Sequence, residues 1–420
     1  MPRDFDFSYG RLAGQSVSYG LREIPAATGR ALRDATALKG TLWRTPLVAM
    51  GLGALMLAPA SAWAGGQGGQ VVLPTGNKIV AGSGQIVQKQ NELDIIQNST
   101  NLILENQQFN IGKGGTVHFI QQPGQTALDR VTGGLASFID GNLFADQRLI
   151  IVNPAGLMFG PNAFVSVGSL IATTADIANP DFMSGKYNFS VAGNSNAAIV
   201  NQGTITVKQG GLAAFVAPGV ANSGTINAKL GKVSLAAGNV FYLDLYGDQL
   251  VNLAVGDQVI AKAVGADGKV LDAAVSNSGK IVADGGVVQI TAQAAKGVVD
   301  NAINMSGVVQ AQSVAQVNGT IVLSGGANGA VNIAGTVDAS GTGTGQTGGT
   351  VKVLGDQVSL ASTAEIDVRG NAGGGTALVG GNFHGSGPEQ NASTTTIAKG
   401  AVIDASALAT GKGGSVAVWS

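Results

Sequence analysis

A five-residue unit, Asn-x-Gly-x-Ile, recurs along the second half of this chain and restricts its possible folds more than any other feature. It stands at Asn201, Gly203 and Ile205, at Asn222, Gly224 and Ile226, and at Asn277, Gly279 and Ile281. Looser copies begin at Gly307, Gly335 and Gly400, and second short segments of alternating apolar residues follow at 211–215, 232–235, 286–290, 349–353 and 414–418. Strands this short cannot bury an apolar face alone, so each must stack on its equivalent one repeat away. Copies are spaced by 21 residues (Gly203 to Gly224) and by 28 (Gly279 to Gly307, Gly307 to Gly335). Such variation excludes a strict-length solenoid such as a leucine-rich repeat. It suits a parallel β-helix, whose turns lengthen without disturbing the stacked strands, whereas a sandwich of hairpins has no reason to repeat such a unit. The predicted fold is all-β: a right-handed parallel β-helix, a single-stranded solenoid, with an N-terminal β cap.

In this reading Gly203, Gly224 and Gly279 turn the chain at each rung by adopting positive φ. Asn201, Asn222 and Asn277 tolerate the same backbone region, and their side chains hydrogen-bond in a ladder. With rungs about 4.8 Å apart and roughly 25 residues each, about 14 rungs and a length of roughly 65 Å are expected. A stack of strands exposes an edge at each end. Val71-Val72-Leu73, Lys78-Ile79-Val80 and Asp94-Ile95-Ile96 are candidates for the N-terminal cap. At the other end Ala417-Val418-Trp419-Ser420 follows directly on a strand, so further rungs are expected beyond it.

The chain holds 65 glycines, no cysteine and only 5% aromatic residues, yet 45% of it is hydrophobic, which argues against disorder and for a thin core of small side chains. The first 64 residues read as a targeting segment with cleavage after Ala64. Seven bases (Arg3, Arg11, Arg22, Arg30, Arg33, Lys39, Arg44) and four acids precede an apolar stretch over 46–57 and the small-x-small site Ala62-Trp63-Ala64. The apolar stretch falls short of the roughly 20 residues that a spanning helix needs. Without this segment 17 basic residues face 21 acidic ones, a net charge of −4 that gives no electrostatic case for nucleic-acid binding.

The sharpest local motif is Asn153-Pro154-Ala155-Gly156-Leu157. An apolar strand over 149–152 ends at Asn153-Pro154, because proline donates no backbone hydrogen bond and biases its predecessor to extended shapes. Ala155-Gly156 completes a turn, and Leu157 opens the next strand. Around it stand Phe109-Asn110-Ile111-Gly112, Thr116-Val117-His118-Phe119, Arg130-Val131-Thr132-Gly133-Gly134 and Val165-Ser166-Val167-Gly168, with a further segment over 176–189. Together these segments resemble the N-terminal two-partner secretion (haemagglutination activity) domain of filamentous haemagglutinin-like exoproteins. In that family the motif reads Asn-Pro-Asn-Gly-Ile; here Ala155 and Leu157 depart from it, and a second Asn-Pro-Asn-Leu motif is absent. The long basic region before the apolar leader also resembles the extended leaders of such exoproteins.

The resemblance implies a chain exported through the periplasm of a Gram-negative bacterium to its surface or the medium. An outer-membrane barrel transporter with periplasmic domains would be the partner, recognising the 107–177 region through Asn153, Pro154, Gly156 and Leu157. It divides the chain into a leader (1–64), a secretion domain (65–310) and further β-helix rungs (311–420). No run of alternating strands with aromatic girdles supplies a barrel of the chain's own. The role outside the cell is then that of an adhesin, with an unspecified host-cell or carbohydrate ligand. The rival readings are a β-helical carbohydrate-active enzyme and a structural matrix protein.

Residue chemistry offers little to the enzyme. His118 alternates with Val117 and Phe119 as a strand-face residue, and His384 sits in a glycine-rich loop; two isolated histidines and no cysteine make no metal site by spacing. Acidic residues such as Asp244, Asp248 and Asp257 are scattered, with no repeat that would stack them for acid–base work. Gly343-Thr344-Gly345-Gln346-Thr347-Gly348 matches the dinucleotide fingerprint literally, but a strand follows where a helix is needed. No catalytic residue, metal or cofactor is expected.

Overall fold

In the computed structural model, residues 71–244, 250–254 and 257–420 are described; the leader expected over 1–64, and Asp248, lie outside them. The chain winds as a parallel β-helix with three strands per rung. A first ladder runs from Glu92–Gln97 through Thr116–Ile120, Thr204–Val207, Thr225–Asn227, Lys280–Val282 and Thr336–Asp338 to Val402–Asp404. A second runs from Asn101–Asn106 through Thr126–Val131, Leu212–Ala217, Lys232–Ala237, Val287–Ala292 and Thr350–Leu354 to Ser415–Val418. The long strands Asn142–Val152 and Phe164–Thr173 belong to both and bend at the corner, where the register shifts between Val167 and Ser169. The third ladder is a nine-stranded sheet from Ser137–Ile139 to Thr394–Ile397.

Inward residues stack in columns, one per rung. Val165, Ile205, Ile226, Ile281, Val309, Val337 and Ile366 follow one another in register, each with no solvent exposure. Among the described residues, only Phe159 and Phe215, stacked with ring centres 5.7 Å apart, put two large rings face to face inside the helix. Small β-branched side chains suffice because strands facing one another across so narrow an interior leave little space between them.

Sequence reading recovers two of the three strands in most rungs and misses the third, as well as the first-ladder rung at Glu365–Asp367. Two long excursions shorten the stack: each of the first two ladders holds eleven strands, about three fewer than expected, or roughly 50 Å at the usual strand spacing. One excursion separates Phe164–Thr173 from Ala198–Asn201, and the other, between Lys232–Ala237 and Ala273–Asn277, sets Asn222 and Asn277 55 positions apart although they are neighbours in space. They form a separate antiparallel sheet of Tyr187–Phe189, Phe241–Leu243 and Val251–Leu253, with the helix Asn179–Met183 beside it. Phe189 and Phe241 stack at 4.4 Å, and with Phe182 they cover an apolar outer face of the second ladder that includes Leu128, Ile150, Ile171 and Val216. That second apolar face is why the excursions exist: a rung face of this kind cannot be left to water.

The N-terminal cap is a pair of antiparallel strands. Lys78–Ala81 pairs with Asn101–Asn106, and Gly84–Gln88 with Glu92–Gln97. Asp94-Ile95-Ile96, read from sequence as cap, instead lies in the first parallel rung, paired with Thr116–Ile120. Its inward residues Leu93 and Ile95 are each 1% exposed, so burial rather than flanking polarity assigned it to the core.

The rung glycines need correcting too. Gly203, Gly224 and Gly279 do not have positive φ, nor do Asn201, Asn222 and Asn277. A Cβ at Gly224 would stand 2.1 Å from the Gly203 carbonyl oxygen, and one at Gly279 2.1 Å from that of Gly224. Successive rungs approach backbone to backbone at this corner, and glycine is required for that contact rather than for a left-handed turn.

Candidate functional site

The Asn153 motif joins the second ladder to the third. Asn153 follows Val152, the end of an inward-packed strand, and its N–H donates to the Thr173 carbonyl at 3.0 Å. Pro154 and Ala155 form the turn, closed by the Gly156 N–H donating to the Asn153 carbonyl at 2.9 Å. Gly156 has φ of 105°, and a Cβ there would lie 2.6 Å from the Ala198 oxygen, so both conformation and space demand glycine. Leu157 then opens the third-ladder strand Leu157–Phe159 and is fully buried.

The Asn153 side chain is 1% exposed and fully used. Its Oδ1 accepts from the Ala155 N–H at 2.9 Å, while Nδ2 donates to the Leu135 carbonyl at 3.0 Å and to Ser137 Oγ at 2.9 Å. Asn153 therefore staples its own turn to the preceding rung. In the folded protein it presents nothing to a partner; Pro154 and Ala155, both half-buried, are what the turn shows to solvent.

Nearby, Arg130 ties the second ladder to the excursion, donating from Nε to Asp176 at 2.9 Å and from Nη2 to the Ile177 carbonyl at 2.8 Å. Its segment and the 176–189 segment are thus joined in space. Sequence reading did not single out the buried glutamines at the first corner. Gln121 Nε2 donates to Gln97 Oε1 at 2.9 Å, and Gln97 in turn donates to three backbone carbonyls. Asp129, inside the helix between Leu104 and Ile151, was also missed. It is 1% exposed, accepts from Asn106 Nδ2, and burial pushes its pKa up to about 7 although that hydrogen bond pulls the other way. Nothing in a lone Asp within Thr-Ala-Leu-Asp-Arg-Val announces an inward position except its period-2 phase with Ala127 and Val131.

Asn201, Asn222 and Asn277 close successive third-ladder strands and stand in register. Asn201 Nδ2 donates to Asn222 Oδ1 at 2.7 Å, and Asn222 Nδ2 to Asn277 Oδ1 at 2.6 Å, all three within 1% exposure. The column ends at Met305, which takes the next position in register. The structure brings this column and the Asn153 turn onto the same sheet, but not into one site.

The carboxylates are less scattered than the sequence suggested. Asp338, Asp367 and Asp404 occupy one register position of the first ladder in three consecutive rungs. Each accepts from the backbone N–H two residues on, at 2.8–2.9 Å, and Arg369 bridges Asp367 (2.6 Å) and Asp404 (3.7 Å). Ser406 and the Arg369 guanidinium hold the Asp404 carboxyl below its usual range. All three carboxylates close turns, and two of them share Arg369, so they act as anchors of the ladder's corner. His118 lies on the outer face with Nε2 3.5 Å from Asp146 and its ring edge-on to Phe144; His384 packs on Phe383 and Trp419. Asp257 accepts from Asn239 and the Val240 N–H. Among the described residues no group of three metal-ligating side chains converges. The literal fingerprint over 343–348 is a loop whose Gly345 and Gly348 N–H groups donate to Asn371 and Gly373.

Comparison with known proteins follows the same lines. The TPS secretion domain family matches residues 70–338. The secretion domain of HMW1 from Haemophilus influenzae superposes with a TM-score of 0.66 at 27% identity, covering 80% of this chain and 84% of that one. The filamentous hemagglutinin secretion domain aligns over 83% of this chain at 17% identity and a TM-score of 0.39, too loosely for detailed comparison. A heme/hemopexin-binding protein of Haemophilus influenzae is 29% identical over 203 residues, which are 47% of this chain but 22% of that protein's length. With well over half of its residues matched and its β-helix shared by the HMW1 domain, this chain belongs to the TPS family, the secretion domains of exoproteins exported through a partner transporter.

Proposed function

We propose that the chain is the export-directing part of a secreted adhesin-type exoprotein, and that residues 107–177 are what its outer-membrane transporter recognises. The family match across 70–338 carries this reading. The leader over 1–64, cut after Ala64, delivers the chain to the periplasm, where it stays unfolded. There its short β-prone segments add to an exposed strand of the transporter's periplasmic domains by β-augmentation. Because Asn153 and Leu157 are buried once folded, any direct contact they make with the transporter precedes folding. Outside, rung stacks on rung with each interface adding its own stability, so folding itself opposes return. Residues 65–310 form the secretion domain and 311–420 continue the helix. The protein is not an enzyme in this reading, a view supported by carboxylates that close turns and pair with Arg369.

Deleting 107–177 leaves export across the inner membrane intact and abolishes appearance in the medium; normal release with the transporter present refutes the assignment. A matched pair of variants separates recognition from folding. Asn153→Ala and Asn222→Ala each remove a buried rung staple, and on this reading only the first reduces release. Adhesion is tested separately, by binding of the released protein to erythrocytes or epithelial cells.

A further inference from the structure

We propose that the cleft at the corner between the first and second ladders, around Arg148 and Lys208, is a binding site for a doubly charged tetrahedral oxyanion, a sulfate or phosphate group. The cleft has a volume of about 270 Å³ and is lined by these two cations, by Gln125, Gln147 and Ser169, and by glycine backbone at Gly168 and Gly210. No acidic side chain lines it.

Neither cation is neutralised. Arg148 projects from the outer face of the second ladder, and its Nη1 donates to Thr126 Oγ1 at 3.1 Å. Its Nε is buried with no protein acceptor, an arrangement that native proteins seldom leave unmet. Lys208 is exposed, and Nζ donates to the Asp146 backbone carbonyl at 2.6 Å. Among the described residues no carboxylate oxygen lies within 4.0 Å of either group. The nearest carboxylate in sequence, that of Asp146, is engaged elsewhere, by His118 at 3.5 Å and the Gln121 N–H at 3.1 Å.

The neutral groups favour the same ligand. Gln125 uses its Oε1 to accept from the Gln122 N–H at 2.7 Å, leaving its NH₂ as the uncommitted half of the amide. A Cβ at Gly210 would meet nothing within 4 Å, so a ligand can approach the backbone there. A planar guanidinium whose Nη2 makes no hydrogen bond among the described residues, an exposed ammonium and an amide donor match the oxygens of sulfate or phosphate, which accept several charge-assisted hydrogen bonds at once. Elsewhere the chain is weakly acidic, so this cationic corner is a local feature and not a consequence of net charge. On an exported protein such an anion is either a free ion or an ester carried on a polysaccharide.

The test is isothermal titration of the purified full chain with inorganic sulfate and with inorganic phosphate. The wild type binds at one saturable site, and Arg148→Gln and Lys208→Gln each weaken binding by about tenfold or more. Lys89→Gln, at a lysine already paired with Glu92 and Asp94, changes nothing. Lys208 is exposed, so its variant folds normally and remains informative should Arg148→Gln unfold. Dextran sulfate that competes with inorganic sulfate, where plain dextran does not, assigns the group to a polymer; binding of the inorganic ions alone assigns a free ion. Absence of saturable binding by the wild type, or a Lys208→Gln variant with unchanged affinity, overturns the proposal.

Discussion

Replacing Asn153 by alanine removes three hydrogen bonds from a side chain that is 1% exposed. Ser137 Oγ, itself in a residue 1% exposed, is left without this donor, and the Leu135 carbonyl and Ala155 N–H must find water near the surface. At about 1 kcal/mol for each lost bond, and more where water cannot enter, the loss is about 3 kcal/mol. A solenoid need not unfold in one step, so a global melting curve dilutes a local effect. Site-resolved hydrogen exchange reads it directly. The Gly156 N–H, which donates to the Asn153 carbonyl, and the Ser137 N–H, which donates to that of Gly156, report on the turn. Their exchange should quicken by about 100-fold, the equivalent of about 3 kcal/mol, while amides in Thr350–Leu354, many rungs away, stay unchanged. Ala155→Asn, at a half-exposed position, should move the same amides by less than about 0.5 kcal/mol. An Asn153→Ala protein whose Gly156 and Ser137 amides exchange at the wild-type rate refutes the staple, and the motif's asparagine would then have to be explained by recognition alone.

Ile226→Asp places a carboxylate between Ile205 and Ile281 in a column with no exposure, and should cost several kcal/mol, seen as loss of protection in both flanking rungs. Gly224→Ala drives a methyl group to within 2.1 Å of the Gly203 oxygen; a loss of about 1–3 kcal/mol in denaturant unfolding is expected, and an unchanged midpoint would show that the corner can open. Asp129 binds its proton more tightly when folded, with a pKa raised from 3.8 to about 7. Its contribution is therefore most favourable below pH 3.8 and declines as pH rises to about 7, by at most about 4 kcal/mol in all. Asp129→Asn keeps the acceptor for Asn106 and supplies a donor for the unpartnered Asn106 Oδ1; stability measured between pH 4 and pH 8 should lose this slope and be higher at pH 8.

The sequence alone determined that the fold is a parallel β-helix, because strands of three to five residues repeated beside Asn and Gly have one economical way to bury their apolar faces. The same local patterns, with the Asn153 turn at their centre, sufficed to point to the secretion family. What tertiary structure decided is everything that depends on which rung lies next to which. The third strand of most rungs escaped notice because its outward positions are apolar in places, as at Val200, and so do not alternate. The second excursion, which sets Asn222 and Asn277 55 positions apart, hid that they are hydrogen-bonded neighbours. Gly224 could be recognised as necessary, but whether for its φ or for the oxygen 2.1 Å from its missing Cβ is fixed only by the rung beneath it. The in-register column of Asp338, Asp367 and Asp404 and the inward placement of Asp129 belong to the same class. Periodicity along the chain reports which face a residue takes, while stacking, which joins residues 20 to 55 positions apart, decides what that face meets.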